Sequence, residues 1–248
     1  AAFKPTPANT LRGVYQQMLI MALSNPFHLA EGAAFELFGA LAPVANLGRL
    51  LAWDNEDESD GPVVDLCESQ PCRAVDQKPE SPSEHLRRLE LGALLVALHE
   101  PAPLQTAIQR QLLEQVRPHW LGRLQRRHER TDTNGSCNLV MGLARIHNRL
   151  LGHSTEQSSA QMLDSSAGGT CLLCNGDQGS ELSVGQLLLL LGGNGTSTLA
   201  MVRWRHLNAE GLHLGLRYLK GLPRPVWLRR APGAQTHPGV LQSTPDTG

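Results

Sequence analysis

The stretch "LDSSAGGTCLL", residues 163–173, sets polar residues and two glycines directly in front of an apolar run. Asp164, Ser166 and Gly169 follow a D-x-S-x-x-G spacing. A strand-entry turn needs a glycine, and an Asx-type bond to the backbone accounts for one acid or hydroxyl. An acid and a hydroxyl together at the head of a strand also suit a ligand edge. Outward from this point the chain reads as β. "GSCNLVMGL" begins at Gly135, and "GTCLLC", "SVGQLLLLLG", "STLAMVRWRHL", "GLHLGLRYL" and "RPVWLRR" follow. "NGDQGSE", "GGNGT" and "NAEG" separate these segments. Short apolar runs with regular turn signals predict antiparallel strands in a sandwich or small barrel. "NAEG" suits a tight hairpin.

The 248 residues fit one large domain or two small ones. Hydrophobic residues are 41% and aromatics only 4%, so Leu, Val and Ala must build the core. Lys plus Arg is 22 against 23 for Asp plus Glu, a formal charge of -1. That balance argues against a broad nucleic-acid or membrane surface. Lys4, Lys78 and Lys220 are the only lysines, so the positive charge is almost all arginine. Arginine suits planar, bidentate and stacked contacts. Cys67, Cys72, Cys137, Cys171 and Cys174 form an odd, sparse set unlike a secreted disulfide framework. The longest apolar run is too short to span a bilayer. The expectation is a soluble protein in a reducing, cytoplasmic setting. The chain opens "AAFKPTP" without Met, which reads as a piece of something longer.

The first half reads as mostly helical. Leu11, Val14, Tyr15, Met18, Leu19 and Ala22 recur at helical spacing behind Thr10, a good N-cap. "SNP" at 24–26 closes that helix. Further helices are expected over 30–42, 84–99 and 104–127, with Pro118 interrupting or restarting the last. "VVDL" at 63–66 reads as a short strand. "DNEDESDG" at 54–61 reads as a solvated acidic loop, lacking the glycine and terminal glutamate of a calcium loop. Residues 73–84 read as a linker. The tail from Ala231 has no pattern and is expected to be mobile.

"RPHWLGRLQRRHERTD" gathers Arg117, Arg123, Arg126, Arg127 and Arg130 where the helical half runs into the β half. Most basic clusters are a solvated helix face. Here the cluster stands at the entry to the strands, where arginines can bend over the mouth of a barrel. With Asp164, Ser166 and Gly169, this segment resembles the PilZ family, the bacterial receptor domain for cyclic di-GMP. That family carries R-x-x-x-R just before its β-barrel and D/N-x-S-x-x-G on an early strand. Arg126 and Arg130 match the first motif, and Arg127 makes the doubled arginine. Arg123 with Arg127 offers a second register. The resemblance covers about residues 118–230. It divides the chain into a mostly helical region (1–117), a PilZ-like barrel with its arginine-rich entry (118–230) and a flexible tail (231–248). The fold class expected is α+β.

The resemblance implies a cyclic di-GMP receptor in signalling rather than an enzyme, with no catalytic residue, no metal and no cofactor. Its ligand residues would be Arg123, Arg126, Arg127, Arg130, Asp164, Ser166, Gly168 and Gly169. A downstream protein partner is implied as well. Guanine shows O6 and N7 on one edge, which a guanidinium reads bidentately. The same group clamps a phosphate. A carboxylate accepts from guanine N1 and N2, and glycine admits close approach or a positive φ. Between Arg130 and Asp164 lies a longer segment than the family usually has, holding "ARIHNRLLGHSTEQSSAQ". The alternative reading is therefore a PilZ-like barrel that docks protein partners without nucleotide. Cys171 and Cys174 spell C-x-x-C, but residues three apart on a strand face opposite ways, which favours structural thiols. His147, His206 and His213 are scattered, and "LGGNGTST" at 191–198 lacks the ending of a phosphate-binding loop. Trp204 reads as a core or barrel-rim residue.

Overall fold

The leucine run at 187–191 decides how the second half packs. It does not alternate with polar residues, so a strand made from it must bury both faces. In the structure it is β7, and it does. The structure is a computed structural model and describes residues 10–53, 61–67, 83–98, 106–122, 129–175, 182–192 and 195–243. The chain divides into two units, residues 1–125 and 126–248.

The first unit holds α1 (Leu11–Leu23), α2 (Ala33–Leu41), β1 (Arg49–Ala52), β2 (Val63–Asp65), β3 (Leu86–Glu90), α3 (Gly92–Ala97) and α4 (Ala107–Trp120). Thr10 caps α1 by accepting from the Gly13 N–H. Thr106 and Gln109 form a reciprocal capping box on α4. Ile20, Leu37, Leu41, Leu89, Leu94 and Val116 make the core. Trp120 Nε1 donates to Ser24 Oγ at 2.9 Å, and Ser24 Oγ donates onward to the Ile20 carbonyl at 2.7 Å. A buried indole N–H is thereby satisfied.

Two expectations change here. The helix expected over 84–99 begins as a strand, β3, which pairs antiparallel with both β1 and β2. Its Leu86 and Leu89 are buried. Pairing on both edges overrides a helical pattern in so short a segment. Pro118 does not break α4. It falls in the last turn, and the helix runs on to Trp120.

The second unit is a small closed antiparallel β-barrel with an outer layer. Its elements are β4 (Thr131–Met141), α5 (Leu143–Leu150), β5 (Ser158–Ser166), β6 (Gly169–Cys174), β7 (Leu187–Leu191), β8 (Ser197–Asn208), β9 (Gly211–Tyr218), β10 (Leu222–Arg229) and β11 (Thr236–Ser243). The barrel order is β4-β5-β6-β9-β8-β7. The α+β class expected from the sequence is what the chain adopts. Leu139, Leu172, Leu188, Leu190, Val202, Leu212, Leu214 and Leu216 fill the interior. Leu189 faces the other way, into a second cluster with Val140, Ile146 and Leu199, against which Leu150 and Val240 pack. The "NAEG" hairpin forms as expected, with Asn208 Oδ1 accepting from the Glu210 and Gly211 N–H groups. Gly211 takes φ 138°.

The long segment between Arg130 and Asp164 is therefore not a loose insertion. Its first part is α5, which packs against β4, β7, β10 and β11 outside the barrel. The region from Ala231, expected to be mobile, supplies β11, which pairs along β10. Val240 anchors it to the outer cluster, and Gln242 Nε2 donates to the carbonyls of Leu219 and Lys220. Backbone pairing plus one partly buried valine stands in for hydrophobic periodicity. β10 and β11 form their own two-stranded sheet and are not barrel strands.

Leu172 is fully buried in the barrel. Leu172→Ala is expected to cost about 2–5 kcal/mol of stability, read as a lower urea midpoint for the barrel unit.

Candidate functional site

The geometry is set at the start of the barrel. Arg130 directly precedes β4, and Asp132 on β4 pairs with Asp164 on β5. Both strands depart from regular register there, β4 between Asp132 and Gly135, β5 between Met162 and Asp164. Such bulges re-aim side chains at a barrel rim. The result is a close ion pair: Arg130 Nη1 lies 2.7 Å from both Asp164 Oδ1 and Oδ2. Both side chains remain partly exposed, at 26% and 22%. Asp164 Oδ1 also accepts from the Cys171 N–H at 3.0 Å, and Thr170 Oγ1 donates to the Asp164 carbonyl at 2.5 Å. One carboxylate thus ties β6 to β5 and holds the arginine ahead of β4.

Ser166 and Gly168 form the turn between β5 and β6. Ser166 Oγ accepts from the Gly168 N–H at 3.3 Å and donates to the Gly169 carbonyl at 3.1 Å. The Gly168 carbonyl accepts from the Tyr218 N–H at 3.0 Å. A Cβ at Gly169 would press on the Leu216 carbonyl oxygen and lie 3.2 Å from Arg217 Cα. Gly169 is thus required for the approach of β6 to β9. Neither Gly168 nor Gly169 has a positive φ, so close approach is the reason for glycine at 169.

Of the expected ligand residues, Arg130, Asp164, Ser166, Gly168 and Gly169 come together on one corner of the barrel. Arg123, Arg126 and Arg127 lie outside the described residues. The acidic loop at 54–60 and Cys72 lie outside them as well. Asp164 was expected to meet guanine directly. In the structure its carboxylate is first committed to Arg130 and the Cys171 amide. Sequence spacing alone does not reveal that pairing, because it depends on the strand register.

The thiols are structural in character. Cys174 points into the barrel core, and Cys171 pairs outside with Asp164 and Gly215. Burial pushes the Cys171 thiol up, the Asp164 charge adds to this, and Arg130 opposes it. Burial pushes Cys174 up to about 11, helped by Cys137 and Cys171. Among the described residues no group of three His, Cys, Asp or Glu side chains is placed to hold a metal ion. His147 is fully buried, with its ring 4.5 Å from that of Trp227. His206 and His213 face each other across the β8–β9 hairpin.

No family model matches the chain. No curated protein matches it either. One solved structure it is similar to is YcgR in complex with c-di-GMP from Escherichia coli, at 18% identity and a TM-score of 0.28. The match covers 40% of this chain and 39% of that one. No helix among the described residues is long and apolar enough to cross a membrane.

Two outcomes follow. Gly169→Ala is expected to lower stability by about 1–3 kcal/mol, since β9 backbone must yield, and a thermal melt reads this directly. The raised thiols also set a pH dependence. Below about pH 9 the cysteines are protonated in both folded and unfolded chains. Between about pH 9 and 11 the unfolded chain ionises first, so stability falls as pH rises. Urea midpoints at pH 8 and pH 10.5 measure the fall, which Cys174→Ala should reduce.

Proposed function

We propose that the barrel unit is a cyclic di-GMP receptor, with its site on the outer corner built by Arg130, Asp164 and the Ser166–Gly169 turn. The observation that carries this is the way Arg130 is held. Asp164 grips a single terminal nitrogen, Nη1. Nη2 and Nε of the same guanidinium have no hydrogen-bond partner among the described residues, which leaves an oriented edge for a ligand. A held, planar cation is suited to a guanine O6/N7 edge or a phosphodiester. Asp164 then acts by positioning Arg130, and its Oδ2 retains room to accept from a guanine N–H. The ligand's identity comes from the resemblance of the two motifs to PilZ domains. Arg123, Arg126 and Arg127 would close over the same ligand. They belong to the segment that joins the two units in sequence, so ligand contacts made there would bias how the N-terminal region is held. This is a population shift driven by differential contacts. Such a protein is a signalling effector rather than an enzyme, bacterial and cytoplasmic, and it passes the signal to a downstream protein.

A second reading has one observation in its favour. Leu222, Leu228 and Leu241 on the β10–β11 sheet are each more than half exposed. An open apolar sheet face suits protein docking without nucleotide.

Calorimetric titration with cyclic di-GMP separates the two. The receptor reading expects micromolar or tighter binding by the wild type. Arg130→Ala removes a charge-assisted contact of about 1.5–3 kcal/mol, a loss of roughly ten- to a hundredfold in affinity. Asp164→Ala weakens binding through the loss of Arg130 orientation. Absence of heat from folded wild type at high ligand concentration would leave the docking reading in its place.

A further inference from the structure

β10 and β11 lie outside the barrel as a two-stranded sheet, and their prolines fix which way it faces. Pro223 and Pro225 on β10 stand opposite Gln242 and Val240, and Pro238 on β11 stands opposite Trp227. These are alternate pairs of one ladder. Proline has no N–H to give, so these are the pairs whose backbone groups point away from the partner strand. Each outer edge therefore lacks donors that an added strand would need. The side chains of this set turn toward the barrel. Val240 packs on the outer cluster, and the Trp227 ring meets that of His147.

The alternate set points the other way. It places Leu222, Arg224 and Leu228 of β10 beside Leu241 of β11, all of them exposed. The centre of this face is level rather than grooved. A Cβ at Gly239 would lie 2.8 Å from Leu228 Cδ1 and 3.3 Å from Val226 Cγ2, so those two side chains already fill the space over the glycine.

The charge around the face has one sign. Residues 211–245 contain no Asp or Glu. Lys220, Arg224, Arg229 and Arg230 are exposed, with no ion-pair partner among the described residues. Arg224 and Arg229 are five residues apart on one strand, a span of about 17 Å. Cations so spread suit a surface of many anions better than a single small ligand. The leucines between them supply apolar area to bury below a headgroup layer, where binding grows with both terms. The whole chain has a formal charge of -1, so any such attraction is local to this face. A docked peptide would need a groove or a free strand edge, and the level face and the prolines provide neither.

We infer that the outer face of the β10–β11 sheet docks on an anionic lipid surface, with Arg224, Arg229 and Arg230 on headgroup phosphates and Leu222, Leu228 and Leu241 against the acyl boundary. Docking of this kind needs no nucleotide, and it competes with protein docking for the same face.

The test is co-sedimentation of the full chain with vesicles of phosphatidylcholine alone, or of phosphatidylcholine and phosphatidylglycerol in equal parts. Wild type is expected to bind the mixed vesicles, to release them as salt is raised, and to leave the neutral ones in the pellet without it. Arg224→Ala with Arg229→Ala is expected to weaken binding by roughly ten- to thirtyfold. Leu222→Ser with Leu241→Ser weakens it as well. All four residues are exposed, so both double variants should melt at the wild-type temperature. Arg12→Ala with Arg110→Ala removes the same charge from exposed helix positions in the first unit and should bind as wild type does. Wild type that stays in the supernatant with both vesicles overturns the inference and leaves the face to an acidic protein partner. Equal weakening in the Arg12 and Arg110 control overturns the assignment to this face. Unchanged binding after the leucine substitutions overturns the apolar contact. None of these outcomes bears on the titration with cyclic di-GMP, which tests the receptor reading separately.

Discussion

A ladder of six strands that closes on itself is the constraint on which the rest of the second unit depends. β4 pairs with β5 on one side and β7 on the other, so no barrel strand is left with an open edge. Closure forces curvature, and curvature is taken up where register breaks. Those breaks fall at Asp132–Gly135, Met162–Asp164 and Val202–Trp204. All three border the wall that carries Arg130, Asp164 and Trp204. The same register breaks thus turn polar side chains onto one outer corner.

Asp164 shows how much a single group can do at such a corner. It accepts from a guanidinium and from a backbone N–H on the next strand. Removing it would leave a partly buried cation without its partner and a strand amide unsatisfied. The ion pair and the strand pairing therefore meet in one carboxylate. Ser166 is similar, since its hydroxyl clasps the β5–β6 turn. Gly169 answers to packing alone, because the β9 backbone occupies the space a side chain would need. The D-x-S-x-x-G spacing is thus accounted for by the fold and is compatible with a ligand as well.

The outer layer explains why the barrel tolerates a leucine-only strand. α5 and β11 cover the face of β7 that does not look inward. The segment that lengthens the gap between Arg130 and Asp164 is spent on this cover. It therefore does not separate the two residues, which meet at 2.7 Å.

Much was legible from local pattern. The α1 span and its Thr10 cap follow from helical spacing and a single hydroxyl. Most strands from Gly135 to Tyr218 follow from short apolar runs between turn residues, and with them the α+β class; β5 (Ser158–Ser166) does not, since its polar sequence reads as part of an insertion. Three things were not legible, each because it depends on partners distant in sequence. β3 looks helical until β1 and β2 take both its edges. β11 has Pro238 and Gly239 in it and no alternation, and is a strand because β10 and the packing of Val240 on the outer cluster hold it. Leu222 and Leu241 sit on different strands and share one open face only through the register of β10 and β11. Residue types and spacing by themselves determined which segments carry guanidinium, carboxylate and glycine chemistry. Strand pairing alone decided which of those groups face one another, because the side of a sheet on which a residue emerges is set by its partner across the ladder.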